Sequence, residues 1–166
     1  MLEFRPMTAE SYRQFLDFSV TDYAEEKVRS GEWEEATAPL RAQEEFAGLL
    51  PDGAKTEGHF LYDVVDPSRN EAVGVLWFAL RGPEHRRSVF VYEIRVYPAF
   101  QRRGYASRIF ERLSAQARDL GAGSVRLHVF GHNHGARALY EKLGFVTTNV
   151  IMQLDVSPAR PGFANH

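Results

Sequence analysis

The chain has 166 residues, a formal net charge of −2, 44% hydrophobic residues and no cysteine. That size suits one domain around one core, and near-neutral charge gives no reason to expect nucleic acid or a membrane surface as partner. The lack of cysteine rules out disulfides, thiol nucleophiles and cysteine–zinc sites.

Leu2–Arg5 reads as a short strand that Pro6 breaks. Glu3 and Arg5 interrupt the short apolar start, so no signal peptide is expected. No run approaches the ~18 apolar residues of a spanning helix, and the cytoplasm is the expected location. Thr8, Glu10 and Ser11 signal a helix start. Tyr12, Phe15, Leu16 and Phe18 carry that helix towards Val28. Gly31 separates it from a second helix over about Glu34–Leu50, and Pro51-Asp52-Gly53 is a turn. Strands are expected at His59–Val65, Ala72–Arg81 and Ser88–Tyr97, the last ended by Pro98. Along it, alternation puts Phe90, Tyr92, Ile94 and Val96 on a core face. Glu93 falls opposite, with Val91, Arg95 and Tyr97.

Gln101 to Ala106, Gln-Arg-Arg-Gly-Tyr-Ala, lies between this strand and an amphipathic helix built on Ala106, Ile109, Phe110, Leu113, Ala117 and Leu120. Gly104 allows close backbone approach. A helix N-terminus offers free N–H groups and a positive dipole end, which suits phosphate. The segment is therefore either a site for a diphosphate-bearing cofactor or a tight turn on a basic surface. Gly121 and Gly123 end the helix, and Val125–Phe130 is the next strand. Asn133 precedes a further helix with Ala136, Leu139, Tyr140 and Leu143 on one side, stopped by Gly144. Val146–Asp155 is expected to form the last strand, within a single domain over 1–156. Residues 157–166 are expected to be a flexible tail.

From Val91 to Phe145 the chain resembles the GNAT superfamily of N-acetyltransferases. Two signatures carry the resemblance: Gln101-x-x-Gly104-x-Ala106, and Asn133-x-x-Ala136-x-x-x-Tyr140-x-x-x-Gly144-Phe145. Ala106 stands where the family more often has glycine. Ser30–His59 is similar to a branch of small bacterial members without a settled substrate. The resemblance implies a mixed α/β fold, with a six- to seven-stranded sheet and about four helices. It implies acetyl-CoA as cosubstrate, held by the backbone of Ile94, Arg95 and Val96 and by Gln101, Arg102, Arg103, Gly104, Tyr105, Ala106 and Ser107. Asn133 and Ala136 would help hold the pantetheine arm, or Asn133 caps the helix.

The resemblance also implies direct acetyl transfer to a primary amine in a ternary complex. Tyr140 holds the family's proton-donor position, and its other reading is a core aromatic. Glu93 is the candidate base; the alternative is an ion pair with Arg95 or a water chain. His128, His132 and His134 have no nearby carboxylate to complete a metal set, so no metal is expected. Residues 21–52 hold nine acids and three bases, which either attract a cationic small-molecule or peptide amine or form a solvated face. Trp33, Tyr23 and Phe46 either line a pocket or belong to the core. A non-catalytic acyl-CoA sensor is the alternative function, and a homodimer through exposed strand edges is compatible with the fold. Nucleotide-binding fingerprints are absent.

Overall fold

The computed structural model describes residues 1–158. The elements are β1 (Glu3–Pro6), α1 (Ala9–Arg29), α2 (Ala38–Leu49), β2 (His59–Asp66), β3 (Glu71–Arg81), β4 (Ser88–Val96), α3 (Tyr105–Asp119), β5 (Ser124–Leu127) and α4 (His134–Lys142). The strands lie in sequence order in one sheet. β1 to β4 pair antiparallel and β5 joins β4 in parallel. No helix of the described residues is long and apolar enough to cross a membrane.

Both sheet faces are covered, so β3 buries every residue from Val73 to Ala79 rather than alternating. On one face α3 seats Ile109, Phe110, Leu113 and Ala117 against Val73, Leu76, Phe78 and Val89. On the other, Phe15 of α1 and Phe46 of α2 pack on Leu61, Val75 and Trp77. Thr8 and Ser11 close a capping box at the start of α1. The second helix begins at Ala38, not near Glu34. Its proline falls in the first turn, where a missing N–H costs nothing.

Two expectations need correction. The register of β3 against β4 shifts so that Trp77 faces Glu93 and Phe78 faces Val91, leaving Tyr92 as the extra residue of a bulge. Alternation therefore breaks. Val89, Val91, Ile94 and Val96 lie on the α3 side, while Tyr92 and Tyr97 pack with the α1 and α2 core. Second, the expected strand Val146–Asp155 is not formed, and five strands stand in place of six or seven. A strand needs a neighbour for its backbone groups, and this segment has none among the described residues. The expected tail lies outside the described residues beyond Pro158.

Gly74 is fixed by contact rather than by φ. A Cβ there would lie 2.1 Å from the Arg95 carbonyl oxygen, so β3 and the end of β4 cannot accept one without moving apart. Gly74→Ala is expected to destabilise the protein by ~1–3 kcal/mol, read as a lower denaturation midpoint at unchanged slope. An unchanged midpoint would show that the strands separate freely here.

Candidate active site

β4 and β5 pair only from Ser88–Ser124 to Val91–Leu127. β4 continues to Val96 while β5 ends at Leu127. The β4 backbone from Tyr92 to Val96 therefore has no strand partner on that side. A cleft of about 330 Å³ opens there, and Glu93, Ile94, Arg95, Asn133 and Tyr140 all line it. Its other wall is α1, through Phe18, Ser19, Asp22 and Glu26.

Glu93 projects towards α1, with its side chain 17% exposed. Ser19 donates a hydrogen bond to it at 2.5 Å. The Arg95 Nε lies 3.8 Å from its other oxygen and makes no hydrogen bond, because the guanidinium stacks on Phe18 at 3.8 Å. Burial pushes the Glu93 carboxyl up to about 7, with Asp22 adding to the rise and Ser19 and Arg95 opposing it. Asp22 is itself raised, by burial and then by Glu26 and Glu25. Among the cleft's charged groups, Glu26 is engaged by the His132 ring nitrogen.

Tyr140 reaches the cleft from α4, its ring packed against Phe110 at 5.7 Å and Phe145 at 5.6 Å. Burial holds its phenol above the ordinary value. Asn133 does cap α4: its side-chain oxygen accepts from the Ala136 N–H at 3.2 Å. Its amide NH2 remains for another partner.

The loop after β4 lies beyond the cleft, and none of Gln101 to Ser107 lines it. Gln101 ties the two together by donating to the Val96 carbonyl at 3.0 Å. Arg102 and Gly104 both adopt positive φ, 59° and 78°, which turns the chain abruptly into α3. Arg102, Arg103, Gly104 and Ser107 are exposed at that helix N-terminus. The Tyr105 side chain is not there. It is buried and donates to Asp66 at 2.6 Å, so only its backbone faces the loop. Hydrogen bonds from Ser68 and Tyr105 hold the Asp66 carboxyl down at about 2, and this anion anchors the first turn of α3.

The histidines separate in role. His128 lines the cleft, and burial with nearby Lys27 lowers its basicity. No group of three or more metal-ligating side chains occurs among the described residues. Of the nine acids expected to set a local field, Asp22 and Glu26 line the cleft. Glu32 is paired with Lys27, and the cleft's Glu26 also pairs with Arg29. Tyr23 and Phe46 line the cleft, while Trp33 is buried between α1 and α2. Sequence reading missed Ser19 and Asp66. A serine on an apolar helix face and an aspartate at a strand end carry no local signal, since their partners lie 74 and 39 residues away.

Comparison with known proteins identifies the family. The model of the acetyltransferase (GNAT) family matches residues 19–145. The uncharacterized N-acetyltransferase YycN of Bacillus subtilis (strain 168) is 38% identical over 148 residues, 89% of this chain and 94% of its own. YdgE of the same organism, also described as an uncharacterized N-acetyltransferase, is 31% identical over 147 residues, 89% and 93% of the two chains. The crystal structure of YycN superimposes with a TM-score of 0.89 at 34% identity, covering 95% of this chain and all of that one. At 14% identity, AAC(6')-Iy, solved with a CoA-bearing bisubstrate analogue, shares the fold with a TM-score of 0.57 over 95% of this chain and 99% of its own. With the family model spanning the cleft and both signature segments, the chain belongs to the GNAT family of acetyltransferases.

Proposed function

We propose that this acetyltransferase moves an acetyl group from acetyl-CoA to a primary amine by direct attack, with Glu93 as base and Tyr140 as acid. The observation that carries it is the cleft where β4 outruns β5, lined on opposite sides by a carboxyl raised to about 7 and a protonated phenol. Acetyl-CoA supplies the activated acetyl thioester. The residues present fit it. The β4 backbone at Ile94, Arg95 and Val96, which lacks a strand partner on the β5 side, suits the amide-bearing pantetheine arm as an added strand would. The first-turn N–H groups of α3, beside the exposed Arg102, Arg103, Gly104 and Ser107, suit a diphosphate. The Asn133 amide is free to donate to the same arm.

Glu93 takes the proton that an ammonium must lose before it attacks. A β4 backbone N–H stabilises charge developing on the thioester oxygen. Tyr140 gives its proton to the departing sulfur. Asp22 and Glu26 on the α1 wall favour a cationic acceptor.

The test is CoA release from acetyl-CoA across polyamines, aminoglycosides, amino acids and lysine or N-terminal peptides, with mass detection of product. Turnover is expected with cationic amines. Reaction with anionic amines alone would overturn the role of the acidic wall, and no turnover with any amine would overturn the reading of the cleft.

A further inference from the structure

Arg95 is the one arginine or lysine among the described residues that line the cleft, and acetyl transfer by Glu93 and Tyr140 gives its side chain no task. An arginine carries five N–H donors and keeps its charge at any working pH. Its one ion-pair contact among the described residues runs from Nε to Glu93 Oε1 at 3.8 Å, too long for a hydrogen bond. Nε is buried without a partner. The side chain as a whole is 22% exposed, so water supplies only part of what is missing. Holding a guanidinium in that state is costly unless something completes its hydrogen bonds.

The group is also held in place. Its Cζ lies 3.8 Å from the centre of the Phe18 ring and 5.4 Å from that of Tyr97. With Phe18 against one face, the edge of the guanidinium is left for a partner. A flat edge with paired N–H groups fits a carboxylate.

The order of charge along α1 shows what else that partner carries. Phe18, Asp22 and Glu26 stand four residues apart on α1 and all line the cleft, so they form one stripe. Arg95 sits over Phe18, and Glu93 is tied to Ser19. Asp22 and Glu26 follow about one and two turns further on. Glu26 is already taken by Arg29 and His132. Asp22 feels the charges around it but makes no side-chain hydrogen bond among the described residues. One cation and one anion on either side of Glu93 therefore lack a close partner.

We propose that Arg95 receives the carboxylate of the acceptor, so that the acceptor is an α-amino acid with a basic side chain, its α-amine at Glu93 and its side-chain cation at Asp22. This rests on the proposed acetyl transfer. Glu93 and Arg95 approach to 3.8 Å, so the reacting amine and the carboxylate must be close neighbours on the acceptor, as they are in an α-amino acid. A polyamine leaves Arg95 unpaired, and a site built to hydrogen-bond a substrate group rejects the analogue that lacks it. The α-nitrogen forms the amide bond as the thioester C–S bond breaks. Of the two protons that the ammonium sheds, one goes to Glu93 and one replaces the proton that Tyr140 gives to sulfur. The products are an N-acetyl amino acid and the free thiol of CoA.

The test compares L-lysine with L-lysinamide, which lacks the carboxylate charge, and with norleucine, which lacks the side-chain charge. The wild-type protein is expected to favour lysine over lysinamide by ~10–100-fold in kcat/KM, mostly through KM. Mass fragmentation should place the acetyl group on the α-nitrogen. In Arg95→Met, which keeps an apolar contact with Phe18, the preference should fall to about twofold or less. Arg95→Lys keeps the charge without the fork and should retain only part of it. Asp22→Asn should instead erase the preference for lysine over norleucine. Each readout is a ratio between two acceptors on the same protein, so a general loss of activity or of folded protein cancels. Lysine and lysinamide handled alike by the wild type, or a ratio that Arg95→Met leaves unmoved, would overturn the assignment. Calorimetric titration of the CoA-loaded protein with the same acceptors reads the carboxylate preference without turnover. Carboxylate-dependent binding that Arg95→Met abolishes, with no turnover of any amine, would uphold the role of Arg95 and overturn the proposed function.

Discussion

Glu93→Gln is expected to lower kcat by ~10²–10⁴-fold and to lack the rise in kcat/KM through an apparent pKa of about 7 that is expected of the wild-type enzyme. The carboxyl is raised chiefly by burial, and Asp22 reinforces the rise against Ser19 and Arg95. It therefore becomes an anion only as pH passes neutrality, where it can take the ammonium proton. Glutamine keeps the volume and can still accept the Ser19 hydrogen bond, but it cannot accept a proton. The same shift fixes a stability effect of known sign. The folded carboxyl titrates near 7 against an ordinary 4.5. Its contribution is therefore intact below the unfolded value and is lost as pH rises through 7. Glu93→Gln should then stabilise the protein at about pH 8 by up to roughly 3 kcal/mol and change little at about pH 4. A variant that is less active and more stable at alkaline pH marks a functional group held at a cost. Equal rates with an unchanged pH profile would remove Glu93 as the base. Lost activity with lost stability at every pH would make it a structural ion pair.

The tight corner between β4 and α3 was legible because its signals are local. Gly104 takes the positive φ expected of a tight strand-to-helix turn, and α3 follows its apolar period from Ile109 to Ala117. Glu93 was placed on the correct side of β4 by simple alternation, yet the rule behind that placement failed two residues earlier. The bulge at Tyr92 is a property of how β3 meets β4. A one-residue offset between two strands leaves no mark in either strand's own pattern. Tyr105 shows the same limit inside a recognised motif. Its place in the loop suggested a ligand contact, but Asp66 lies 39 residues away and takes its hydroxyl. The C-terminal strand is the reverse case. Its period-two pattern is clear, and the described residues give it nothing to pair with. Pattern specifies what a segment can become, and pairing depends on what edge is offered to it.

Tyr140→Phe is expected to lower kcat by about 10²-fold or more while leaving fold and acetyl-CoA affinity nearly unchanged. The ring is the structural part of this residue, wedged between Phe110 and Phe145, and phenylalanine keeps it. The hydroxyl has no hydrogen-bond partner among the described residues, so its removal should change stability by less than about 1 kcal/mol. Burial raises the phenol above its ordinary value, which keeps the proton on oxygen at neutral pH and available to a departing thiolate. The neutral-pH limb belongs to Glu93 and should survive in Tyr140→Phe. The deficit should also depend on the leaving group. An acetyl thioester of a more acidic thiol needs less help from a proton donor, so the variant should approach wild-type rates with it. A deficit that stays the same across thioesters would mean that Tyr140 positions the substrate rather than protonating it. A kcat within twofold of wild type on acetyl-CoA would remove the residue from the chemistry and leave it as part of the core.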